Sequence, residues 1–96
     1  MYQLTAYKEF LNRSKKFVKN NPQNKQKLNK ALKKLAKNPF HASLKTHKVS
    51  HKLIGKAYSS WVTGDIRIIW DFTQEKSPKI LLINLGGHSG KDKVYR

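Results

Sequence analysis

Apolar residues in the first part of the chain recur at intervals of three and four, which places them along one stripe of an α-helix. One such run covers residues 7–18 and a second covers residues 28–36, after a short strand-compatible run, Tyr2 to Thr5. Asn21 can cap the second helix, and Pro22 suits its first position. Pro39 ends it, because the residue before a proline is disfavoured in the helical region. This pattern predicts two antiparallel helices joined by a tight turn.

The apolar pattern changes after Phe40. The basic stretch LKTHKVSHKLIGK has no clean period and is interpreted as a loop with at most short extended pieces. The segments AYSSWVT and IRIIWDF are typical of strands, and Gly64-Asp65 between them indicates a β-hairpin. A second turn, residues 74–78, leads to KILLINL, whose nearly continuous apolar run predicts a central strand covered on both faces. Gly86-Gly87 is expected to end that strand.

These elements predict one α+β domain over residues 1–96, in the order β-α-α-β-β-β. A helical hairpin would pack on one face of a mainly antiparallel, twisted sheet, and the other face would stay open for a ligand. The length suits one modest core and no second domain. The absence of cysteine excludes disulfides and thiolate metal sites. With no 18-residue apolar segment and no signal-peptide pattern, a soluble cytoplasmic protein without membrane contact is expected.

The charge is large and unevenly distributed. The net charge is +16, and residues 1–56 hold fifteen Lys or Arg against Glu9 alone, a net +14. Clustered positive charge of this kind favours a polyanionic partner, because it displaces counterions from phosphates and steers encounter. Eighteen of the 21 basic residues are lysine, which indicates attraction to a nucleic-acid backbone more than reading of bases.

Two residues of the second half are candidates for chemistry. His88 follows the last long strand between glycines, and a histidine there can donate or accept a proton near neutral pH. The alternative is a loop histidine with no chemical role. Arg67 shares a strand face with Ile69 and Asp71. It is either paired with an acid such as Asp71 or displayed to hold a phosphate.

Other candidate sites are weaker. His47 and His51 have a zinc-compatible spacing only on a helix, which Thr46 and Val49 oppose, so no metal site is predicted. His47 among lysines is read either as part of a phosphate-facing loop or as part of a solvated loop. Asp65 in the hairpin turn is explained by turn chemistry alone. No serine of the chain lies in a nucleophile elbow.

Four segments together resemble one toxin family. The string LKTHKV, the hairpin YSSWVTGDIRIIWDF, the strand ILLINL and the ending GGHSGKDKVYR resemble toxins of the RelE/ParE superfamily, and most closely its YafQ-like ribonucleases. The resemblance covers essentially the whole chain. It implies a RelE-like fold and the toxin of a type II toxin-antitoxin system. Such a toxin is a cofactor-free endoribonuclease that cuts mRNA, usually in the ribosomal A site.

The resemblance also assigns site residues. It matches the YafQ-type loop histidine, the turn aspartate, the RelE arginine at the scissile phosphate, the proton-transfer histidine and the C-terminal tyrosine, which are here His47, Asp65, Arg67, His88 and Tyr95. Two features of the family are missing. A residue of Ser60-Trp61-Val62 replaces the YafQ-type histidine before the turn, and the lysines of RelE on that strand are absent.

Metal-free RNA cleavage needs a base, a cation for the phosphorane and an acid for the leaving oxygen. The hypothesis gives Arg67 the cation role, His88 the acid role, and His47 with Asp65 the base or base-orienting role. The expected RNA-binding residues are Lys45, Lys48, Lys52, Lys91 and Lys93.

The partners implied are mRNA with ribosomal RNA, and an acidic, partly disordered antitoxin that converts a monomeric toxin into a hetero-oligomer. Two other functions remain open. One is a ParE-like toxin that poisons DNA gyrase without catalysis, and the other is a non-catalytic nucleic-acid-binding module.

Overall fold

A computed structural model describes residues 1–51 and 55–87 of the chain. Seven helices and strands occur in this part, together with a single 3₁₀ turn at Ala42–Leu44. In chain order they are β1 (Leu4–Ala6), α1 (Lys8–Val18), α2 (Pro22–Lys37), β2 (His47–His51), β3 (Gly55–Trp61), β4 (Ile66–Phe72) and β5 (Ile80–Gly87).

The strands form one mixed sheet in the order β1-β5-β4-β3-β2. β1 runs parallel to β5, and the other neighbours are antiparallel. The α+β class, the helical pair and the central position of β5 are therefore confirmed. Two predictions are wrong. The stretch interpreted as a loop contains the edge strand β2, and Gly86-Gly87 does not end β5, which runs through Gly87.

Local signals fix the ends of α2 as the sequence predicts. The Asn21 side chain accepts a hydrogen bond from the backbone N–H of Asn24 at 3.0 Å, and Pro22 occupies the first turn. At the other end, the Asn38 N–H donates to the Lys34 carbonyl at 2.7 Å. No helix in the described ranges is long and apolar enough to cross a membrane.

The main core lies between the two helices and one face of the sheet, here called the helix face. It joins buried residues of α1, α2, β4 and β5, including Phe10, Leu28, Leu35, Ile68, Trp70 and Leu82. Apolar residues that recur every three or four positions on the helices pack here against apolar residues that recur at every second position on the strands. Apolar burial here is the main source of stability.

The second face of the sheet, here called the opposite face, carries a smaller apolar cluster of Ala57, Ile69 and Ile83, all buried. The register between β4 and β5 shifts at Ile69, so that Asn84 pairs with Ile69 while Leu82 pairs with Trp70. This β-bulge turns Ile83 and Asn84 to the same face. The expectation of a face left open is thus wrong in this region.

Candidate functional site

The register of β2, β3 and β4 brings several predicted site residues to one end of the opposite face. His47 pairs with Ser59, and Trp61 pairs with Arg67. Because side chains alternate along a strand, all four lie on the same face. Two strand spacings and two residues separate the Cα atoms of His47 and Arg67, about 12 Å. The tertiary structure therefore brings His47 and Arg67 together across the hairpin.

His47 has a defined tautomer. Its Nδ1 lies 3.0 Å from the Lys45 carbonyl oxygen. A carbonyl oxygen only accepts, so Nδ1 carries the hydrogen and donates, and Nε2 of the neutral ring keeps its lone pair. His47 is exposed, and no described residue contacts Nε2 by a hydrogen bond. The imidazole is thus oriented to accept a proton from a bound ligand.

Arg67 is held by backbone groups and an aromatic ring. Its Nη1 donates to the Thr63 carbonyl at 2.7 Å and lies 3.4 Å from the Ile66 carbonyl, and its Cζ lies 4.1 Å from the centre of the Trp61 ring. The first alternative from the sequence is not observed, because within the described residues Arg67 forms no ion pair with Asp71. Arg67 is 6% exposed, and its use in holding a phosphate stays a prediction.

The remaining donors of Arg67 matter for ligand binding. Nε and Nη2 donate to no acceptor in the part of the chain that the structure describes, so these two nitrogens can serve an anion. A guanidinium already fixed by protein contacts loses less conformational entropy on binding. The arrangement suits stabilisation of a charged phosphate more than long-range attraction.

Trp61 is the site residue that the sequence analysis missed. Besides Arg67, the ammonium of Lys45 lies over its ring at 5.3 Å. A cation near an indole ring is attracted by its negative π-face. The sequence contains no clear signal for the first contact, because a two-residue turn at Gly64-Asp65 would place Val62 opposite Arg67, whereas the observed register places Trp61 there. It contains none for Lys45 either, which reaches the ring from before β2.

Lys45 has an unusual backbone conformation. Its φ of 48° and ψ of 41° lie in the left-handed region, after the 3₁₀ turn. This conformation is unfavourable for a residue with a Cβ. The chain bends here before β2 begins, and the same bend accompanies the carbonyl contact to His47 and the cation contact to Trp61.

The hairpin turn places Asp65 at the same end of the sheet. The Thr63 hydroxyl accepts hydrogen bonds from the N–H groups of Asp65 and Ile66 at 3.2 and 3.0 Å. Thr63 thus supplies turn chemistry that the sequence analysis gave to Asp65. The role of the Asp65 carboxylate in catalysis stays a prediction.

The predicted lysines separate into different regions. Lys45 joins the site, whereas Lys48 pairs with Tyr58 and so belongs to the helix-face side of edge strand β2. Lys52, His88, Lys91, Lys93 and Tyr95 lie outside the described residues. Within residues 1–51 and 55–87, no cluster of three or more His, Cys, Asp or Glu side chains could hold a metal ion.

The sequence matches no protein-family model and no curated protein. Solved structures do match over most of the chain. A YoeB/ParE toxin from Agrobacterium tumefaciens superposes with a TM-score of 0.74 at 13% identity, covering 91% of this chain and 99% of that one.

Two other toxins show similar agreement. The Escherichia coli DinJ-YafQ complex gives a TM-score of 0.66 at 18% identity, covering 92% of this chain and 94% of that one. A metal-bound toxin from Helicobacter pylori gives 0.68 at 19% identity, covering 92% and 96%. The fold of this chain is therefore that of the RelE/YafQ toxins, as the resemblance implied.

Proposed function

We propose that this chain is the toxin of a type II toxin-antitoxin system and acts as a metal-independent endoribonuclease on mRNA, on the ribosome. One observation carries the proposal. On a RelE/YafQ-type fold, a histidine with its Nε2 lone pair available shares one end of a sheet face with an arginine that retains unused donors. The residues are His47 and Arg67.

Each group suits one step of RNA cleavage by the 2′-hydroxyl. The Nε2 of His47 takes the proton of the hydroxyl, whose oxygen then attacks the adjacent phosphorus. The guanidinium of Arg67 stabilises the negative charge that develops on the phosphorane oxygens. The bond from phosphorus to the 5′-oxygen breaks, and His88 protonates that leaving oxygen. The role of His88 rests on the resemblance alone.

The Lys45 carbonyl supports the assignment of His47 as the base. By accepting from Nδ1 it keeps the proton on that nitrogen and leaves Nε2 as the acceptor. The sequence hypothesis gave this orienting role to Asp65. We assign it to the backbone of Lys45, and Asp65 and Tyr95 remain candidates for contacts to the substrate.

Partners follow from the charge. A net charge of +16 attracts mRNA and ribosomal RNA, with affinity that falls as salt rises. It also attracts an acidic antitoxin segment, and the DinJ-YafQ complex is a toxin-antitoxin complex of the same fold. Binding of such a segment over the exposed side chains of Tyr7, just before α1, and of Leu11 in α1 would bury apolar surface as well.

The test is cleavage of translated mRNA by the purified chain and by His88→Ala. The native chain is expected to cut mRNA on ribosomes without added metal. The variant should lose about 10²- to 10⁴-fold in rate while retaining RNA affinity, because one proton-transfer group is removed.

Other outcomes identify other functions. A variant that loses RNA binding and turnover to the same extent would contradict the catalytic role of His88. Uncut mRNA together with blocked DNA supercoiling would favour a gyrase-inhibiting toxin. Growth inhibition that is identical in the native chain and in His88→Ala would favour a non-catalytic binding module.

A further inference from the structure

A lysine-lined cavity lies between α2, the 3₁₀ turn and the hairpin turn that follows β3. Its volume is about 410 Å³. We call it the α2 pocket and define it by its polar and aromatic lining, which comprises Lys27, Lys30, Lys34, Ser43, Trp61 and Thr63. None of the three α2 lysines takes part in the proposed cleavage chemistry, so the pocket needs a separate explanation.

The three lysines follow the helical period. They are spaced by three and four residues, which places them on one stripe beside the buried apolar stripe of α2. Like charges at this spacing destabilise a helix. The ion pairs among the described residues are elsewhere, between Glu9 and Arg13 and between Glu75 and Lys79. The stripe therefore holds positive charge that no described acid neutralises.

The pocket also offers directed donors. Lys34 Nζ donates to the Ser43 hydroxyl at 3.0 Å, which positions the ammonium at the pocket wall. The Thr63 hydroxyl accompanies the three ammonium groups, whereas the Ser43 hydroxyl already donates to His41 Nδ1, 2.8 Å away. Ammonium and hydroxyl donors converging on a cavity suit the oxygens of a phosphate group.

Trp61 connects this pocket with the proposed cleavage site. It lines the pocket, while its ring also contacts Arg67 and the Lys45 ammonium. Trp61 thus belongs both to the pocket lining and to the cation contacts of Lys45 and Arg67. Aromatic rings between positive charges are typical of surfaces that bind single-stranded nucleic acid, where bases stack and phosphates meet cations.

The geometry favours RNA over an acidic peptide. Of the three aliphatic members of the lining, Ala31 and Leu44 are only 5% and 2% exposed, and Val62 is half-buried. They offer little surface to the apolar anchor residues on which peptide binding in grooves depends. Backbone phosphates need no such anchors.

We propose that the α2 pocket is a second phosphate-binding site, which holds the backbone of the single-stranded RNA on one side of the bond cleaved at the opposite face. The position of that bond rests on the proposed function. The binding of RNA by the pocket does not, because it depends only on the lysines and on Trp61.

The experiment measures binding of a short single-stranded 2′-O-methyl RNA, which lacks the attacking hydroxyl and cannot be cut. One variant combines Lys27→Gln, Lys30→Gln and Lys34→Gln. Its matched control combines Lys25→Gln, Lys33→Gln and Lys37→Gln on the same helix, outside the pocket lining. Both variants have a net charge of +13, three below the native +16, so long-range attraction falls equally.

In a plot of log affinity against log salt, the negative slope of the pocket variant should be shallower than the native slope by about 2. The reason is that three phosphate contacts on a single strand contribute about 0.7 each. At moderate salt its affinity should fall at least about tenfold further than that of the control. The control slope should change by less than about 0.7. Circular dichroism and thermal unfolding check that both variants are folded.

Tryptophan fluorescence gives an independent readout. Trp70 is fully buried, so quenching by the oligonucleotide reports on Trp61. Quenching is expected in the native chain and in the control, and it should weaken in the pocket variant. If the triple variant unfolds, Lys30→Gln alone at an exposed position repeats the test, with an expected slope change of about 0.7.

Equal slopes and affinities for the pocket variant and the control would overturn the inference, since net charge alone would then explain binding. Loss of poly-glutamate binding with RNA binding intact would overturn it in favour of an acidic peptide. A native chain that binds through the pocket but cuts no RNA would refute the proposed cleavage and support the inference. If the chain cuts mRNA but the pocket variant and the control bind the oligonucleotide equally, the proposed cleavage is supported and the inference about the pocket is refuted.

Discussion

The two tryptophans of this chain lie on neighbouring strands and have different surroundings. Trp70 on β4 is fully buried in the helix-face core, where its ring stacks on Tyr58 at 4.7 Å. Trp61 on β3 is only partly buried, and its neighbours are the cationic groups of Arg67 and Lys45. The same residue type thus completes an apolar core on one face and supports a charged site on the other.

Hydrogen bonding sharpens the contrast. Trp70 Nε1 donates to the Ser60 hydroxyl at 2.8 Å, Ser60 lies 2.7 Å from the Thr46 hydroxyl, and Thr46 donates to the Pro39 carbonyl at 2.6 Å. Because the Thr46 hydrogen is used on that carbonyl, Ser60 donates to Thr46. This chain of satisfied groups fixes the residue just before His47. Residues of the helix face therefore help to position His47 on the opposite face. Substitutions on the helix face are expected to lower the stability of the fold before they affect the site.

The largest expected effect is on stability. Trp70→Ala should lower the free energy of unfolding by about 3–5 kcal/mol, because a large buried ring is lost and a cavity remains. Urea unfolding of the purified chain measures this loss. Trp61→Ala is the matched control and should cost less, about 1–2 kcal/mol, since it removes two cation–π contacts from a partly exposed ring. Equal losses at the two positions would refute the contrast between the faces.

The next effect is on catalysis at the opposite face. His47→Asn keeps a donor near the Nδ1 position for the Lys45 carbonyl but removes Nε2. Cleavage of mRNA should slow by about 10²-fold, roughly 3 kcal/mol in activation free energy. The free energy of unfolding should change by less than about 0.5 kcal/mol, because the position is exposed.

His41→Asn is the control for that substitution. His41 is exposed, and its Nδ1 accepts from the Ser43 N–H at 3.1 Å and from the Ser43 hydroxyl at 2.8 Å, and an asparagine oxygen can accept both hydrogen bonds. Its cleavage rate should equal that of the native chain. Full activity in His47→Asn would remove His47 from the base role, and equal loss in both variants would indicate a general effect of histidine replacement.

The smallest effect concerns the bend of the chain at Lys45, just before β2. Lys45→Gly and Lys45→Ala both remove the ammonium over Trp61, but only glycine relieves the left-handed backbone conformation. The glycine variant should be more stable than the alanine variant by about 1 kcal/mol. Urea unfolding compares the two, and their affinities for RNA should match. An alanine variant at least as stable as the glycine variant would mean that this conformation is not maintained in solution.

Several elements could be predicted because their signals are local. The helix ends at Asn21-Pro22 and Asn38 depend on nearest neighbours, and the hairpin depends on Gly64 and its flanking alternation. The resemblance implied the toxin fold, and the solved toxin structures confirm that fold. His47 and Arg67 could also be singled out, although their common location could not be read from the basic stretch while β2 was interpreted as a loop.

Other features had no local signal. β2 is an edge strand, with His47, Lys48 and Ser50 exposed, so it lacks the apolar pattern that marks an interior strand. The bulge that turns Ile83 and Asn84 to one face arises from the pairing of β5 with β4. Burial of Arg67 against Trp61 likewise depends on cross-strand register.

The sequence by itself determined the two helices and every strand except β2, the face that each helix buries, and the surplus of lysine that favours a polyanionic partner. These follow from periodicity, capping and composition within short stretches of chain. Only the tertiary structure decided which groups meet: Lys45 with His47 and Trp61, Trp61 with Arg67, and the α2 lysines with the hairpin turn. Such contacts depend on strand register and helix placement, which the packing of the whole core fixes and no short segment encodes.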